Sequence, residues 1–207
     1  MIRKNLANIT TILGIVLCFI YLWFVVYYRE TIGPLFWLAF VIWATDVIDG
    51  AIARWLNVVT NFGKLADVIR DKFFEFITFY LFLSDSRVDT ALKVIIVPLF
   101  FLESMLLAVR LVGVRHKLDL PANSYGKWKM AGVFLSCFLC MIFMKYADLM
   151  ADWRDVAVFM LFVMFGTSFL LGTSSFKGQI KSFSKQMRHK YKEKRRTEKR
   201  TYKPARG

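Results

Sequence analysis

Four aspartates, two glycines, an alanine and an arginine lie at fixed offsets between residues 46 and 71 of this 207-residue chain. They follow the pattern D-x2-D-G-x2-A-R-x8-G-x3-D-x3-D and are Asp46, Asp49, Gly50, Ala53, Arg54, Gly63, Asp67 and Asp71. Clustered carboxylates bind hard divalent cations, and ligation by oxygen alone favours Mg²⁺, Mn²⁺ or Ca²⁺ over zinc. The pattern therefore indicates a site for one or two divalent cations.

The spacing of these residues fits the ends of two helices. Asp46 and Asp49 are three residues apart, whereas Gly63, Asp67 and Asp71 follow at intervals of four. Residues at either spacing share a helix face. If the chain turns over residues 55–62, two antiparallel helix ends direct four carboxylates at a common point.

A structural salt-bridge network is the alternative interpretation of the aspartates. An uncompensated Asp in the middle of a membrane costs about 2.5–3.5 kcal/mol, and a bound cation removes that cost. The neighbouring Gly50, Ala53 and Gly63 either allow close helix packing or let a bulky ligand reach the metal. Arg54 is either a membrane-surface anchor or a clamp for phosphate.

The composition predicts a membrane protein, because 57% of the residues are hydrophobic and the mean hydropathy is +0.47. The apolar residues form runs of about 20, the length of a helix that crosses a bilayer. We therefore predict an all-α, polytopic integral membrane protein in which residues 1–176 form one domain. Its six transmembrane helices are predicted at residues 8–28, 34–53, 65–84, 90–112, 128–147 and 155–175.

The loop charges predict the orientation. One side of the predicted bundle carries Arg3, Lys4, Arg54, Lys64, Arg70, Lys72, Arg115, Lys117, Lys127, Lys129 and the tail. The opposite side carries only Arg29, Arg87, Lys93, Lys145 and Arg154. Cytoplasmic loops are richer in Lys and Arg, so both termini and the aspartates are expected in the cytoplasm.

The tail, residues 177–207, contains 13 Lys and Arg residues and two Glu, so most of the net charge of +14 lies there. Phe176, Ile180, Phe183, Met187 and Tyr191 are spaced so that they share one helix face. An apolar face surrounded by basic residues is typical of a helix on an anionic lipid surface. We therefore expect contact with lipid headgroups, or a plain solvated tail, rather than nucleic-acid binding, and disorder after Tyr191.

The aspartate pattern is the signature of the CDP-alcohol phosphotransferases, which this chain resembles at every fixed position. The segment from Asn8 through Thr11 to Gly14 is similar to the N-x-x-T-x-x-[RG] segment of that family. The resemblance implies transfer of a phosphatidyl group from CDP-diacylglycerol to an alcohol, with release of CMP. It also implies a homodimer in the bacterial inner membrane, with the active site facing the cytoplasm.

The resemblance implies a role for each matched residue. The four aspartates would bind one or two Mg²⁺ or Mn²⁺ ions, and Asp71 would also act as the general base. The residues that would bind CDP and its pyrophosphate are Thr11, Asp49, Gly50, Ala53, Arg54, Gly63 and Asp67.

The acceptor is inferred from other segments, which resemble the phosphatidylglycerophosphate synthase branch of the family. Residues 60–64 and the Gly-Lys-x-Lys run at 126–129 are similar to that branch, as are Glu103 and Arg110. These similarities imply sn-glycerol 3-phosphate, held by Arg110, Arg115, Lys127 and Lys129, which are otherwise interpreted as membrane-surface anchors. Glu103, deep in a span, is expected to pair with a cation. The chain departs from the branch at Val68, Arg70, Leu102 and Met130.

Other functions remain open at this stage. The same chemistry could use phosphatidylglycerol, giving cardiolipin, or inositol phosphate, or serine. Two alternatives belong to other protein classes: the chain could be a divalent-cation transporter or a non-catalytic membrane scaffold. A transporter would place the acids near the membrane midplane within an inverted repeat, and the sequence shows neither feature.

Overall fold

The computed structural model describes residues 2–55, 61–116, 118 and 124–201, and the side chains of 12–45, 67–116, 118, 124–193 and 195. Within these ranges all regular structure is helical, which confirms the all-α prediction. The helices are α1 (Ile2–Tyr28), α2 (Ile32–Trp55), α3 (Asn61–Ser84), α4 (Thr90–Arg115), α5 (Ser124–Lys145) and α6 (Arg154–Thr201), with a 3₁₀ turn at Ala151–Trp153.

Three helical segments are long and apolar enough to cross a membrane: Thr90–Arg115, Ser124–Lys145 and Ala151–Glu193. Ile12–Tyr28 and Ile32–Thr45 are shorter apolar stretches of the described side chains. Large apolar side chains also point outwards, including Trp37, Phe101 and Phe159, which are each at least 60% exposed. These features indicate an integral membrane protein.

The helices pack around a common core, and glycines lie at two points where neighbouring helices approach closely. α1 packs against α2 and α3, α4 against α3 and α6, and α5 against α2 and α6. A Cβ atom at Gly172 of α6 would lie 2.6 Å from Leu102 Cδ2 of α4, and one at Gly132 of α5 would lie 2.6 Å from Ser168 Oγ. A larger residue at either position would require the facing side chain to shift, and small residues at close approaches are common between membrane helices.

α6 continues as one helix beyond residue 176 and beyond Tyr191, where the composition predicted disorder. Lys, Arg and Glu have high helix propensity, so a charged tail can extend an existing helix without its own core. The extension also contacts the end of α4. The rings of Phe183 and His116 are 6.5 Å apart, and Lys190 Nζ donates a hydrogen bond of 2.5 Å to the His116 carbonyl.

The turn between α3 and α4 is held by the buried carboxylate of Asp85. Its Oδ1 accepts hydrogen bonds from the backbone N–H and Nε of Arg87, both at 2.9 Å, and its Oδ2 accepts one from Nη2 at 2.6 Å. Arg87 Nη2 also donates to the Arg29 carbonyl at 3.0 Å. The Asp85–Arg87 pair therefore connects this turn to the turn between α1 and α2.

We expect Asp85→Asn to lower the free energy of unfolding by about 1–3 kcal/mol at neutral pH, since it weakens charged hydrogen bonds. Burial raises the pKa of Asp85, but the hydrogen bonds from Arg87 outweigh burial, so the pKa lies below its usual value of 3.8. A lowered pKa stabilises the fold above the unfolded-state value, and this contribution is lost as the pH falls through the folded-state value.

Melting temperatures in detergent, measured from neutral pH down to about pH 3, test this expectation. Asp85→Asn should lower the melting temperature at neutral pH, and the difference from wild type should shrink at the acid end. The matched control is Asp152→Asn, whose side chain is exposed. Equal effects of the two substitutions would contradict the role assigned to Asp85.

Candidate metal and substrate site

The structure places the aspartate motif on two consecutive helices. Positions 46–54 form the last turns of α2, and Gly63, Asp67 and Asp71 lie in the first turns of α3. This confirms that the motif spans the end of one helix and the start of the next. The side chains outside the described part of the chain are those of Thr11, Asp46, Asp49, Gly50, Ala53, Arg54 and Gly63.

Asp67 and Asp71 lie on one face of α3 and share a cation. Arg70 Nη2 donates a hydrogen bond of 2.8 Å to Asp67 Oδ1 and lies 3.7 Å from Asp71 Oδ1. The Arg70 side chain is 2% exposed, compared with 52% for Asp67 and 23% for Asp71. Two carboxylates, one turn apart, thus converge on a single positively charged nitrogen.

An open cavity adjoins this point; its empty volume of about 210 Å³ includes open solvent, and the enclosed space holds little more than a water molecule. Its walls combine two charged side chains with four apolar ones: Arg70, Asp71, Ile42, Trp43, Phe74 and Phe134. The carboxylate of Asp71 and the guanidinium of Arg70 therefore lie beside apolar side chains at this opening.

The described half of the predicted metal site fits a hard divalent cation. Among the side chains that the structure describes, no group of three or more His, Cys, Asp or Glu residues gathers in one place. Asp67 and Asp71 nevertheless supply carboxylate oxygens that already surround one cationic nitrogen. Oxygen-only ligation of this kind suits Mg²⁺ or Mn²⁺.

A second group of charged residues lies deeper in the protein, and we call Lys72, Glu75, Glu103 and Lys129 the buried cluster. Each member is at most 4% exposed. Lys72 Nζ contacts the carboxylates of both Glu75 and Glu103. Lys129 Nζ lies 2.5 Å from Glu103 Oε1 and 2.6 Å from Oε2. Two cations therefore balance two anions where α3, α4 and α5 meet.

Glu103 pairs with a cation, which confirms the prediction made from its position inside a predicted transmembrane span. Its partners are Lys72 and Lys129. Lys72 Nζ also donates a hydrogen bond of 3.5 Å to the sulfur of Met130. A buried pair is tolerated only when the partners satisfy each other, so the buried cluster fixes the relative positions of three helices.

The four basic residues predicted to hold an acceptor phosphate occupy different environments. Arg110 is partly buried and interacts electrostatically with Glu103 and Asp71. Its Nε is buried without a hydrogen-bond partner in the described part of the chain. Arg115 and Lys127 are exposed, whereas Lys129 belongs to the buried cluster. Of these four residues, Arg110 is the one for which the structure gives an electrostatic interaction with Asp71.

Several polar residues in the interior were not among the predicted site residues. Glu75 lies within a predicted span, where an acidic residue by itself indicates a partner or a function. Gln179 of α6 is 2% exposed, and neither polar atom of its amide has a partner among the described residues. Nothing in the sequence distinguished Gln179, because the periodicity of this segment suggested a surface helix.

Comparison with known proteins decides the family. The sequence profile described as CDP-alcohol phosphatidyltransferase matches residues 4–171, which include the whole aspartate motif. The chain belongs to the CDP-alcohol phosphatidyltransferase family. The match extends from α1 into α6, so all six helices contribute to the family domain.

Three similar members of the CDP-alcohol phosphatidyltransferase family carry the name CDP-diacylglycerol–glycerol-3-phosphate 3-phosphatidyltransferase. The protein from Mycoplasma pneumoniae is 31% identical over 46% of this chain and 42% of its own length. The Mycoplasma genitalium protein is 35% identical over 52% and 45%, and the Rickettsia bellii protein 35% over 45% and 49%. This chain thus spans about half the length of the curated relatives it matches.

Proposed function

We propose that this protein transfers a phosphatidyl group from CDP-diacylglycerol to sn-glycerol 3-phosphate, giving phosphatidylglycerophosphate and CMP. The observation that carries the proposal is the convergence of Asp67 and Asp71 on one cationic position beside a cavity that is partly apolar. The names of the three relatives support the choice of acceptor.

The aspartates would hold Mg²⁺ or Mn²⁺, as one or two ions, through Asp46, Asp49, Asp67 and Asp71. When bound, the metal neutralises the diphosphate and polarises the phosphorus. Asp71 takes the proton of the acceptor hydroxyl while the new oxygen–phosphorus bond forms and the bond to CMP breaks. The remaining contacts to CDP are assigned to Thr11, Gly50, Ala53, Arg54 and Gly63, together with Asp49 and Asp67.

The acceptor phosphate is assigned to Arg110, with Arg115 and Lys127 at the exposed side of the site. Arg110 has an unused donor, Nε, within the described part of the chain, and guanidinium groups bind phosphate strongly. Lys129 contributes by sharing its charge between Glu103 and the acceptor. Phosphatidylglycerol, inositol phosphate and serine are the alternative acceptors for the same chemistry.

The same proposal includes an arrangement in the membrane. Six spans with both termini in the cytoplasm would place the aspartates at the cytoplasmic face of the bacterial inner membrane. The distribution of Lys and Arg supports this orientation. Residues 1–176 would form the catalytic domain of a homodimer, and the basic residues of 177–207 would contact anionic lipid headgroups.

A direct test is CMP release by the purified full chain in detergent, supplied with CDP-diacylglycerol and Mg²⁺ or Mn²⁺. Glycerol 3-phosphate, inositol phosphate, serine and phosphatidylglycerol are added one at a time. We expect the fastest release with glycerol 3-phosphate. No release with any acceptor would overturn the proposed chemistry, whereas release only with another acceptor would overturn the choice of acceptor.

We expect Arg110→Ala to raise the KM for glycerol 3-phosphate about tenfold or more, because a charged contact to phosphate is lost, and tenfold corresponds to about 1.4 kcal/mol. The KM for CDP-diacylglycerol should change much less. Lys127→Ala, which removes an exposed charge, should raise the acceptor KM by a smaller factor. An unchanged acceptor KM in Arg110→Ala would remove this residue from the acceptor site.

A further inference from the structure

Arg70 occupies an unusual position for a positively charged side chain, because it is buried on the acidic face of α3. Its Nη2 lies 2.8 Å from Asp67 Oδ1 and 3.7 Å from Asp71 Oδ1. Its side chain also forms part of the cavity wall beside Asp71. The guanidinium is therefore located between the two carboxylates that are assigned to the metal.

Close packing against α1 holds the guanidinium in this place. A Cβ atom at Gly14 would lie 2.7 Å from both Cδ and Nη1 of Arg70, and 3.3 Å from Nε. At distances below 3.0 Å one of the two groups must shift, and here the flexible Arg70 side chain is the group that can move. Gly14 thus provides the space that the Arg70 side chain fills, and any larger residue at position 14 would have to displace that side chain.

The geometry has a direct consequence for cation binding. Mg²⁺ coordinates oxygen at about 2.0–2.1 Å, and Arg70 Nη2 already occupies the space next to Asp67 Oδ1. The two positive charges also repel each other at this distance. A metal that binds both carboxylates must therefore displace Arg70 from at least one of them.

We propose that Arg70 is an internal cation that competes with the divalent metal for Asp67 and Asp71 and so weakens the metal affinity of the site. This inference rests on the metal site of the proposed function. Once displaced, the guanidinium lies at the wall of the cavity, where it can pair with a phosphate oxygen of the nucleotide donor. Arg70 then makes metal binding by the protein alone weaker than metal binding in the presence of the donor.

The test is the Kd of Mn²⁺ for the purified full chain without substrate, measured by electron paramagnetic resonance of the free ion. We expect Arg70→Ala to lower the Kd about tenfold or more, which corresponds to about 1.4 kcal/mol. Arg70→Lys retains a cation and should lie near wild type. Lys185→Ala removes an exposed charge of the tail and controls for the change in net charge.

Gly14→Ala provides a second route to the same result, because it displaces the guanidinium without removing its charge. It should lower the Kd of Mn²⁺ in the direction of Arg70→Ala, and it keeps the test available if Arg70→Ala does not fold. A Kd of folded Arg70→Ala or Gly14→Ala that equals or exceeds the wild-type value would overturn the proposal. CMP release with saturating Mg²⁺ is measured separately, so a failure of this inference is distinguished from a failure of the proposed function.

Discussion

Asp71→Asn is expected to reduce the turnover number at least about a hundredfold, the usual size of general-base catalysis. The amide has the shape of the carboxyl group and keeps one oxygen that can contact a metal, but it cannot accept the proton of the acceptor hydroxyl. Asp71 lies on the wall of the cavity with Trp43 and Phe134, so its carboxylate is accessible from the space where substrates would bind.

The measurement compares CMP release at saturating substrates with the Kd of Mn²⁺ for the same preparation. Asp71→Asn should lose turnover while metal binding largely survives. Asp67→Asn provides the matched control. This substitution should weaken metal binding, and a higher Mn²⁺ concentration should restore the CMP release that it costs. Turnover of Asp71→Asn within about tenfold of wild type would exclude a general-base role.

The positions of the helices were predictable because a bilayer imposes a length on apolar segments. Each predicted span lies in a different helix of the structure, and only the fifth extends past its helix end, at Lys145. The shared face of Asp67 and Asp71 was predictable for a similar reason. Residues four apart on a helix are always neighbours, whatever surrounds them.

The partners of Glu103 were not predictable, because they come from other helices. Lys72 and Lys129 are 31 and 26 residues away in the sequence, and spacing carries no information about such contacts. The sequence left the cation unspecified, and Arg110 lies on the same helix face as Glu103. A separation of seven residues, however, is about 10 Å along a helix axis, which is too far for direct pairing unless both side chains extend toward each other.

The tail illustrates a different limit of sequence patterns. The period of its apolar residues correctly indicated a helix with one apolar face. It did not indicate what covers that face, since lipid and protein select the same residue types. In the structure Phe183 faces His116 of the α4 end, whereas Ile180 and Tyr191 remain exposed.

Glu103→Gln is expected to destabilise the protein by about 3–5 kcal/mol, the usual cost of breaking a buried ion pair. Lys72 and Lys129 would then share the single carboxylate of Glu75, and one positive charge would be buried without compensation. Glu75 contacts Lys72 through Oε2, and its Oε1 has no hydrogen-bond partner in the described part of the chain, so Glu75 does not pair directly with Lys129 in the wild-type protein.

The double substitution Glu103→Gln/Lys129→Met separates this electrostatic effect from a loss of shape. It removes one charge of each sign and leaves Lys72 paired with Glu75, so the double variant should be more stable than Glu103→Gln alone. Methionine also has about the length of lysine and can fill the space beside Gly172, where Lys129 Cδ lies. Melting temperatures in detergent measure the effect, with Asp148→Asn as a control that removes an exposed charge.

The melting temperatures of the wild type, the single variant and the double variant distinguish charge balance from packing as the role of the buried cluster. If charge balance holds α3, α4 and α5 together, the single variant melts lowest and the double variant recovers most of the loss. CMP release at saturating glycerol 3-phosphate should recover in part, because Lys72 adjoins Asp71, the proposed general base, on α3. The KM for glycerol 3-phosphate should stay raised, because Lys129 is assigned to the acceptor site. A double variant that melts no higher than Glu103→Gln would show that Lys129 contributes through packing, and the ion pairs would then have no part in positioning Asp71.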